Sequence, residues 1–439
     1  MLAPLIEAWN AAGIRYCILH GYEGYPERVP SDVDCLMPAA MLPRRLATTF
    51  QPNGSSAKSA VVQWLQHEAT AHYFIVAHKE SGRPWSFLPI DASSDYRRNG
   101  RVFYRGDEIL ATRRRSGSFW IPSPAVEFGY YLAKKLAKGS LTTAHGGRLS
   151  ELYRHDPSGC DREIVRLLGH NRGRLVIAAA SSGRWDEVQR SLAMLRAHLL
   201  RQAAVRRPLE TAGYWVTNLA RLAARVVRPT GLLVAILGAD GSGKSTVIAA
   251  VQRDLAPAFR RTDRRHFAPA LFRGASSTTP VSDPHGLPPR SWPASIAKTL
   301  YWLFDYTVGY HLILRPALVR STFVLFDRYL LDALVDPKRY RFAAPSWWLR
   351  LVWAIVPKPD LVILLDAPPE VLQNRKREVP FAESARQRDS YRQLVQTMPN
   401  GRIVDAAQPL DRVVADVNDT IVEFLAARTA DRLGLEARP

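Results

Sequence analysis

Cysteine is nearly absent: Cys17, Cys35 and Cys160 are the only three in 439 residues. An odd, scattered set with no C-x-x-C spacing argues against a disulfide framework or a zinc site, and for a reducing cytoplasm. Acidic residues are also short, 40 Asp and Glu against 60 Lys and Arg, which leaves a formal charge of +20. That imbalance favours anionic partners such as nucleotides, nucleic acid or an acidic membrane surface. No stretch of about 18 uninterrupted apolar residues occurs, so no spanning helix is expected. The start, Met1-Leu2-Ala3-Pro4, lacks a basic region and a long apolar core, so no signal peptide is expected either. What remains is a globular composition, with apolar residues for more than one core and a length whose prior is about three domains.

The most informative stretch is Leu232–Leu237 followed by Gly238-Ala239-Asp240-Gly241-Ser242-Gly243-Lys244-Ser245-Thr246. A short apolar run reads as a parallel strand buried on both faces, and Lys244–Leu255 reads as a helix. Between them lies G-x-x-x-x-G-K-[ST], matched at every required position. Glycines let successive amides turn inward around phosphate oxygens, and the helix N-terminus adds partial positive charge. Lys244 is placed to reach the β- and γ-phosphates and the Ser245 hydroxyl to hold Mg²⁺. The expected ligands are ATP and Mg²⁺.

Residues 1–145 read as an α+β domain. Leu5–Ala12 suggests a short helix and Arg15–Leu19 a strand, followed by the turn His20-Gly21. Asp32 and Asp34 lie two apart in an extended segment and so share one face; a third carboxylate, Asp91, ends the strand Phe87–Asp91. Carboxylates on one face repel unless a cation sits between them. The arrangement resembles the minimal nucleotidyltransferase fold, which implies that Asp32, Asp34 and Asp91 are metal carboxylates of a second Mg²⁺ site. The chain departs from that pattern in having His20-Gly21 where Gly-Ser is usual. Glu127–Ala137 reads as a helix whose lysines form a solvated face.

Residues 146–228 read as a helical connector. Within it, Gly213–Val227 is a basic amphipathic helix, expected to pack its apolar face on a neighbouring domain rather than lie on a membrane.

From about residue 229 to 428, strands and helices alternate, implying a mostly parallel sheet covered by helices. Arg264–Phe267 reads as the second strand, and Ala268–Pro293 as a long Pro- and Gly-rich excursion containing Asp283-Pro284-His285-Gly286. Ser295–Val319 reads as one aromatic-rich helix, one face of which could stack on a base. Thr322–Phe326 runs into Asp327-Arg328-Tyr329, delivering Asp327 to the sheet edge where such folds bind ligands. Leu361–Asp366 repeats the pattern, and Arg375, Arg377, Arg386 and Arg388 follow. Leu410–Ala427 is the closing helix and 429–439 a flexible tail.

The order of Gly-Ala-Asp-Gly-Ser-Gly-Lys-Ser-Thr, Asp-Arg-Tyr, Pro-Asp-Leu-Val-Ile-Leu-Leu-Asp-Ala-Pro-Pro-Glu and an arginine run resembles the thymidylate kinase family over about 231–428. The resemblance implies a P-loop nucleoside monophosphate kinase fold that moves the ATP γ-phosphoryl group to dTMP or a related small phosphorylated acceptor. It further implies that Gly238–Thr246 cradle ATP, Asp240 lies near the transferred group and Asp327 serves Mg²⁺ beside Ser245. Arg328 would hold the acceptor phosphate, and Arg375 and Arg377, with Arg386 or Arg388, would close as a lid. Members acting on dTMP usually carry Asp-Arg-x-Gln-His before the Asp-Arg-Tyr strand; here Asp305-Tyr306-Thr307-Val308-Gly309 stands there, and Asp336–Arg341 replaces the later Ala-Tyr-Gln run. The acceptor is therefore not readable from these motifs.

The overall layout resembles bacterial proteins associated with surface-polysaccharide gene clusters. The alternatives to a kinase are a bifunctional protein with nucleotidyltransferase activity in the first domain, or an ATP-driven switch or assembly factor. No nucleic-acid module is recognisable; a homodimer and a weak membrane-surface contact complete the expected partners.

Overall fold

Six consecutive apolar residues, Leu232–Leu237, can all be buried only in the interior of a sheet, and the computed structural model places them there. The structure describes residues 1–50, 58–271, 288–376 and 379–435. These form two units, one of Met1–Ser81, Ser86–Ala223 and the residues from Ala426 onward, the other of Gly82–Trp85 and Ala224–Leu425.

The first unit begins with α1 (Leu2–Ala11), β1 (Cys17–Ile18), β2 (Val33–Leu36), α2 (Arg44–Thr49), β3 (Lys58–Glu68), β4 (Ala71–Lys79) and β5 (Ser86–Ser93). Its sheet has the order β1-β2-β5-β4-β3. Only β2 and β5 run parallel, in a register that sets Asp34 beside Asp91. The long hairpin of β3 and β4 has no counterpart in the sequence reading. One face of the sheet buries Trp9, Tyr16, Phe50 and Phe74.

Two small hairpins follow, β6 (Asp95–Arg98) with β7 (Arg101–Arg105), then, after α3 (Gly106–Ala111), β8 (Arg114–Ser116) with β9 (Phe119–Ile121). Helices α4 (Pro124–Lys138), α5 (Thr143–His155), α6 (Pro157–Ser182), α7 (Asp186–Arg190) and α8 (Leu192–Arg206) enclose a second core around Phe128, Leu149, Ile164 and Leu195. Helix α6 breaks direction at Gly169, whose φ of 73° suits glycine alone without strain. The next helix, α9, spans Pro208–Val227 and contains no buried residue. Its apolar side chains, Leu209, Trp215, Val216 and Leu219 among them, are exposed.

The second unit alternates β10 (Leu232–Leu237), α10 (Lys244–Leu255), β11 (Arg261–His266), α11 (Trp292–Gly309), α12 (Arg315–Val319), β12 (Thr322–Asp327), α13 (Leu330–Val335), α14 (Ser346–Ile355), β13 (Leu361–Asp366), α15 (Pro369–Arg375), α16 (Phe381–Gln396) and β14 (Gly401–Asp405). All neighbours are parallel in the order β11-β12-β10-β13-β14. Strands β10, β12 and β13 are buried along their whole length, and each enclosed Leu, Ile or Val contributes on the order of 2 kcal/mol. Edge strand β11 is instead polar, Arg-Thr-Asp-Arg-Arg-His.

The helix expected over Ser295–Val319 is divided by a π-helical turn at Tyr310–Leu314, because Pro316 has no N–H to continue the ladder. Its inward rings are core: Trp302 lies 5.0 Å from Phe267 and Tyr306 4.7 Å from Tyr329. The last helix, α17, spans Leu410–Leu433, and Leu433 is buried in the core of the first unit, so residues 429–433 are ordered helix rather than a flexible tail. Asp283-Pro284-His285-Gly286 and Arg377 lie outside the described residues.

Candidate active site

The chemistry gathers at the carboxyl ends of β10 and β12, where an open parallel sheet presents its loops. Leaving β10, the chain turns through Gly238 (φ 153°), Gly241 (φ 85°) and Gly243 (φ 82°) before entering α10. A Cβ on Gly238 would stand 2.8 Å from the Leu365 carbonyl, and one on Gly241 2.7 Å from the Leu372 carbonyl. The loop is thus pressed against β13 and α15 and admits no side chain at either position.

Lys244 is buried, and its ammonium donates to the carbonyls of Gly238 (2.8 Å) and Ala239 (2.9 Å). Burial depresses its pKa to about 8, helped by the positive charge of Arg328 and opposed by Asp240 and Asp327. The Ser242 hydroxyl is buried with no hydrogen-bond partner. Ser245 Oγ donates to Asp327 Oδ2 at 3.2 Å, and the same oxygen accepts from Arg264 Nη2 at 3.0 Å. These features fit a bound triphosphate and its cation. The glycines leave room for close approach, a hydroxyl awaits an acceptor, and a hydroxyl–carboxylate pair of hard oxygens suits Mg²⁺.

Beside the loop stands an arginine cluster. Arg328 adopts φ 72°, a conformation costing a non-glycine residue about 1–2 kcal/mol, and its amide donates to the Ile236 carbonyl. Its guanidinium bridges Asp240 and Asp332, the latter at 3.1 Å. Asp332 is fully buried and also accepts from Tyr391 Oη (2.6 Å) and the Tyr329 amide (2.9 Å). The other oxygen of Asp240 accepts from Arg339, whose amide is fixed by Asp336 at 3.1 Å. Asp240 therefore holds two guanidiniums at the lip of the loop. In the sequence Arg339 is marked by nothing more than the basic run Lys338–Arg341 after Asp-Arg-Tyr.

Among the described residues, three of the expected lid arginines have partners of their own. Arg375 donates to the Ala406 carbonyl at 2.8 Å. Arg386 pairs with Glu383, and Arg388 makes a two-pronged bond to Asp366 at 2.7 and 2.9 Å. Asp366 also accepts from Arg392; burial raises its pKa, but the two arginines outweigh that and hold it below the usual carboxylate range.

In the first unit, carboxylate oxygens of Asp32, Asp34 and Asp91 lie within 4.8 Å of one another. Lys134 of α4 is not on a solvated face: its ammonium contacts both oxygens of Asp34, at 3.0 and 3.1 Å, and also His20 Nε2. Burial alone would raise Asp34, but the His20 hydrogen bond and the Lys134 charge hold it well below the usual range. Asp91, with His67 Nε2 at 3.6 Å, is pushed up to about 7 by burial and by the charge of Asp34. The residues thus fit a cation in part: Asp32 and Asp91 offer oxygens, while a lysine already occupies Asp34.

A five-stranded parallel sheet with a glycine-rich loop after its central strand and an aspartate at a strand end is consistent with a P-loop kinase region. About 45% of the chain is similar to thymidylate kinases. It is 27% identical over 218 residues to a probable thymidylate kinase of Methanosarcina mazei, covering 44% of this chain and 97% of that one. The thymidylate kinase of Xanthomonas oryzae pv. oryzae is 27% identical over 226 residues, 48% of this chain and 91% of the relative. A probable thymidylate kinase of Pyrobaculum aerophilum matches at 27% over 204 residues, 43% and 95% of the two chains. No family model matches the chain.

Proposed function

We propose that the second unit is an ATP-dependent phosphotransferase that moves the γ-phosphoryl group of ATP to a nucleoside monophosphate, dTMP or a related small acceptor. The observation that carries this reading is the pairing of the Gly238–Thr246 loop with the Asp240–Arg328–Arg339 cluster, a triphosphate cradle beside a two-arginine anion site. An oxygen of the acceptor phosphate attacks the γ-phosphorus while the bond to the ADP oxygen breaks. Lys244 exchanges its loop carbonyls for phosphate oxygens, and Arg328 and Arg339 orient the acceptor in line. Ser245 and Asp327 would hold Mg²⁺, which supplies charge neutralisation at the phosphate oxygens. No covalent enzyme intermediate is needed. The test is transfer from ATP to a panel of nucleoside monophosphates: Lys244→Ala should abolish it while the thermal unfolding profile is kept. Turnover that persists in that variant rejects the assignment.

A second reading, nucleotidyl transfer by the first unit, is supported by the convergence of Asp32, Asp34 and Asp91. It requires pyrophosphate release that Asp32→Asn/Asp34→Asn eliminates and Lys244→Ala leaves intact.

A further inference from the structure

Helix α9 is amphipathic, but it is mounted with the wrong side out for a soluble packing helix. Its polar face is the one applied to the protein. Glu210 accepts from Arg105 (2.8 Å) and Arg207 (3.1 Å) and pairs with Arg97 at 2.9 Å, while Tyr214 Oη reaches Asn99 and its Cβ side closes over Gly100. These bonds set the rotation of the helix. They leave Leu209 86%, Trp215 68%, Val216 74% and Leu219 69% exposed, in a stripe continued by Val226 and Val227. Scattered apolar residues on a surface need no explanation; a continuous stripe on one helix face does.

We propose that α9 is an interfacial helix that lays this face on an anionic lipid surface. Three observations choose that occupant. Across 201–228 the sequence holds six arginines (Arg201, Arg206, Arg207, Arg221, Arg225, Arg228) and a single acid, Glu210, which is turned inward onto arginines. Arg207 and Arg221 are partnered on the protein-facing side, with Glu210 and Asn218, so the charge left to meet acidic headgroups is that of Arg206 and Arg228, exposed at the two ends of the helix. Trp215, at mid-helix, has the ring chemistry that settles at a headgroup boundary. The helix lies on the bilayer rather than crossing it, since among the described residues no helix is long and apolar enough to span.

The experiment is sedimentation of the full-length protein with phosphatidylcholine vesicles, with and without about 30% phosphatidylglycerol, at low and high salt. The expected result is binding to the anionic vesicles at least ~10-fold above the neutral ones, weakened by salt, and reduced ~10-fold or more in Val216→Asp/Leu219→Asp. Trp215→Ser, a milder change on the same outward face, should lower it in the same direction, with thermal unfolding of both variants unchanged. Absence of binding overturns the proposal. So does equal binding by the variants, which would assign attraction to dispersed arginines. A concentration-dependent dimer that the double variant dissociates also overturns it, since a second copy would then cover the stripe.

Discussion

Asp240, in the glycine-rich loop after β10, and Arg328, just after β12, form an ion pair, and both side chains are shielded from water. Arg328 simultaneously holds the buried Asp332, so one planar guanidinium spans two carboxylates on different elements. Lysine cannot reproduce that fork. Arg328→Lys should lower kcat/KM for the acceptor on the order of 10²-fold, about 3 kcal/mol, with ATP affinity within about two-fold of the parent. Steady-state kinetics with each substrate varied will separate the two; an equal loss of ATP affinity would place Arg328 on the wrong substrate.

Gly241 tests the cradle itself. Its φ of 85° and the Leu372 carbonyl 2.7 Å from a would-be Cβ leave alanine no place. Gly241→Ala should cost roughly 1–3 kcal/mol of stability and weaken ATP binding by ~10-fold or more, because the loop must move off α15. Thermal unfolding and nucleotide titration report both; a variant that binds ATP normally would mean the loop tolerates displacement.

His72, on β4, sets a pH limit. It is 6% exposed, and Trp64 Nε1 is 3.2 Å from its Nδ1. Burial, with His67 adding to the shift, lowers its pKa to about 4. Folding therefore favours the neutral ring. The associated stability is fully present above the unfolded pKa of about 6.5 and is lost as pH falls toward 4, on the order of 3 kcal/mol. Scanning calorimetry should show the parent losing more stability than His72→Gln between about pH 6.5 and 4.5. Parallel profiles would exclude His72 as the source.

The second unit is legible in the sequence where burial is two-sided. Leu232–Leu237 and Lys244–Leu255 have the expected bounds because a continuous apolar run and a glycine turn each admit one solution. Residue Asp327 sits at the strand end as the pattern implies. Other features depend on distant partners. In the sequence Arg339 looks no different from Lys338 or Arg341, and its pairing with Asp240, far along the chain, is visible in the fold alone. Lys134 reads as a surface charge until Asp34 and His20 are brought to it by the β2–β5 pairing. Periodicity finds both faces of α9 but not which one points outward; the arginines around Glu210 decide that. In the first unit, β3 and β4 mix polar and apolar positions, so their pairing is visible only in three dimensions.

The most direct measurement is isothermal calorimetry of the full-length protein with a non-hydrolysable ATP analogue and Mg²⁺, alongside Lys244→Ala. One site per chain is expected in the parent, with binding at least ~10-fold weaker in the variant and weaker again without the metal. No heat of binding in the parent, or equal affinity in the two proteins, would contradict the assignment of Gly238–Thr246 as a triphosphate cradle.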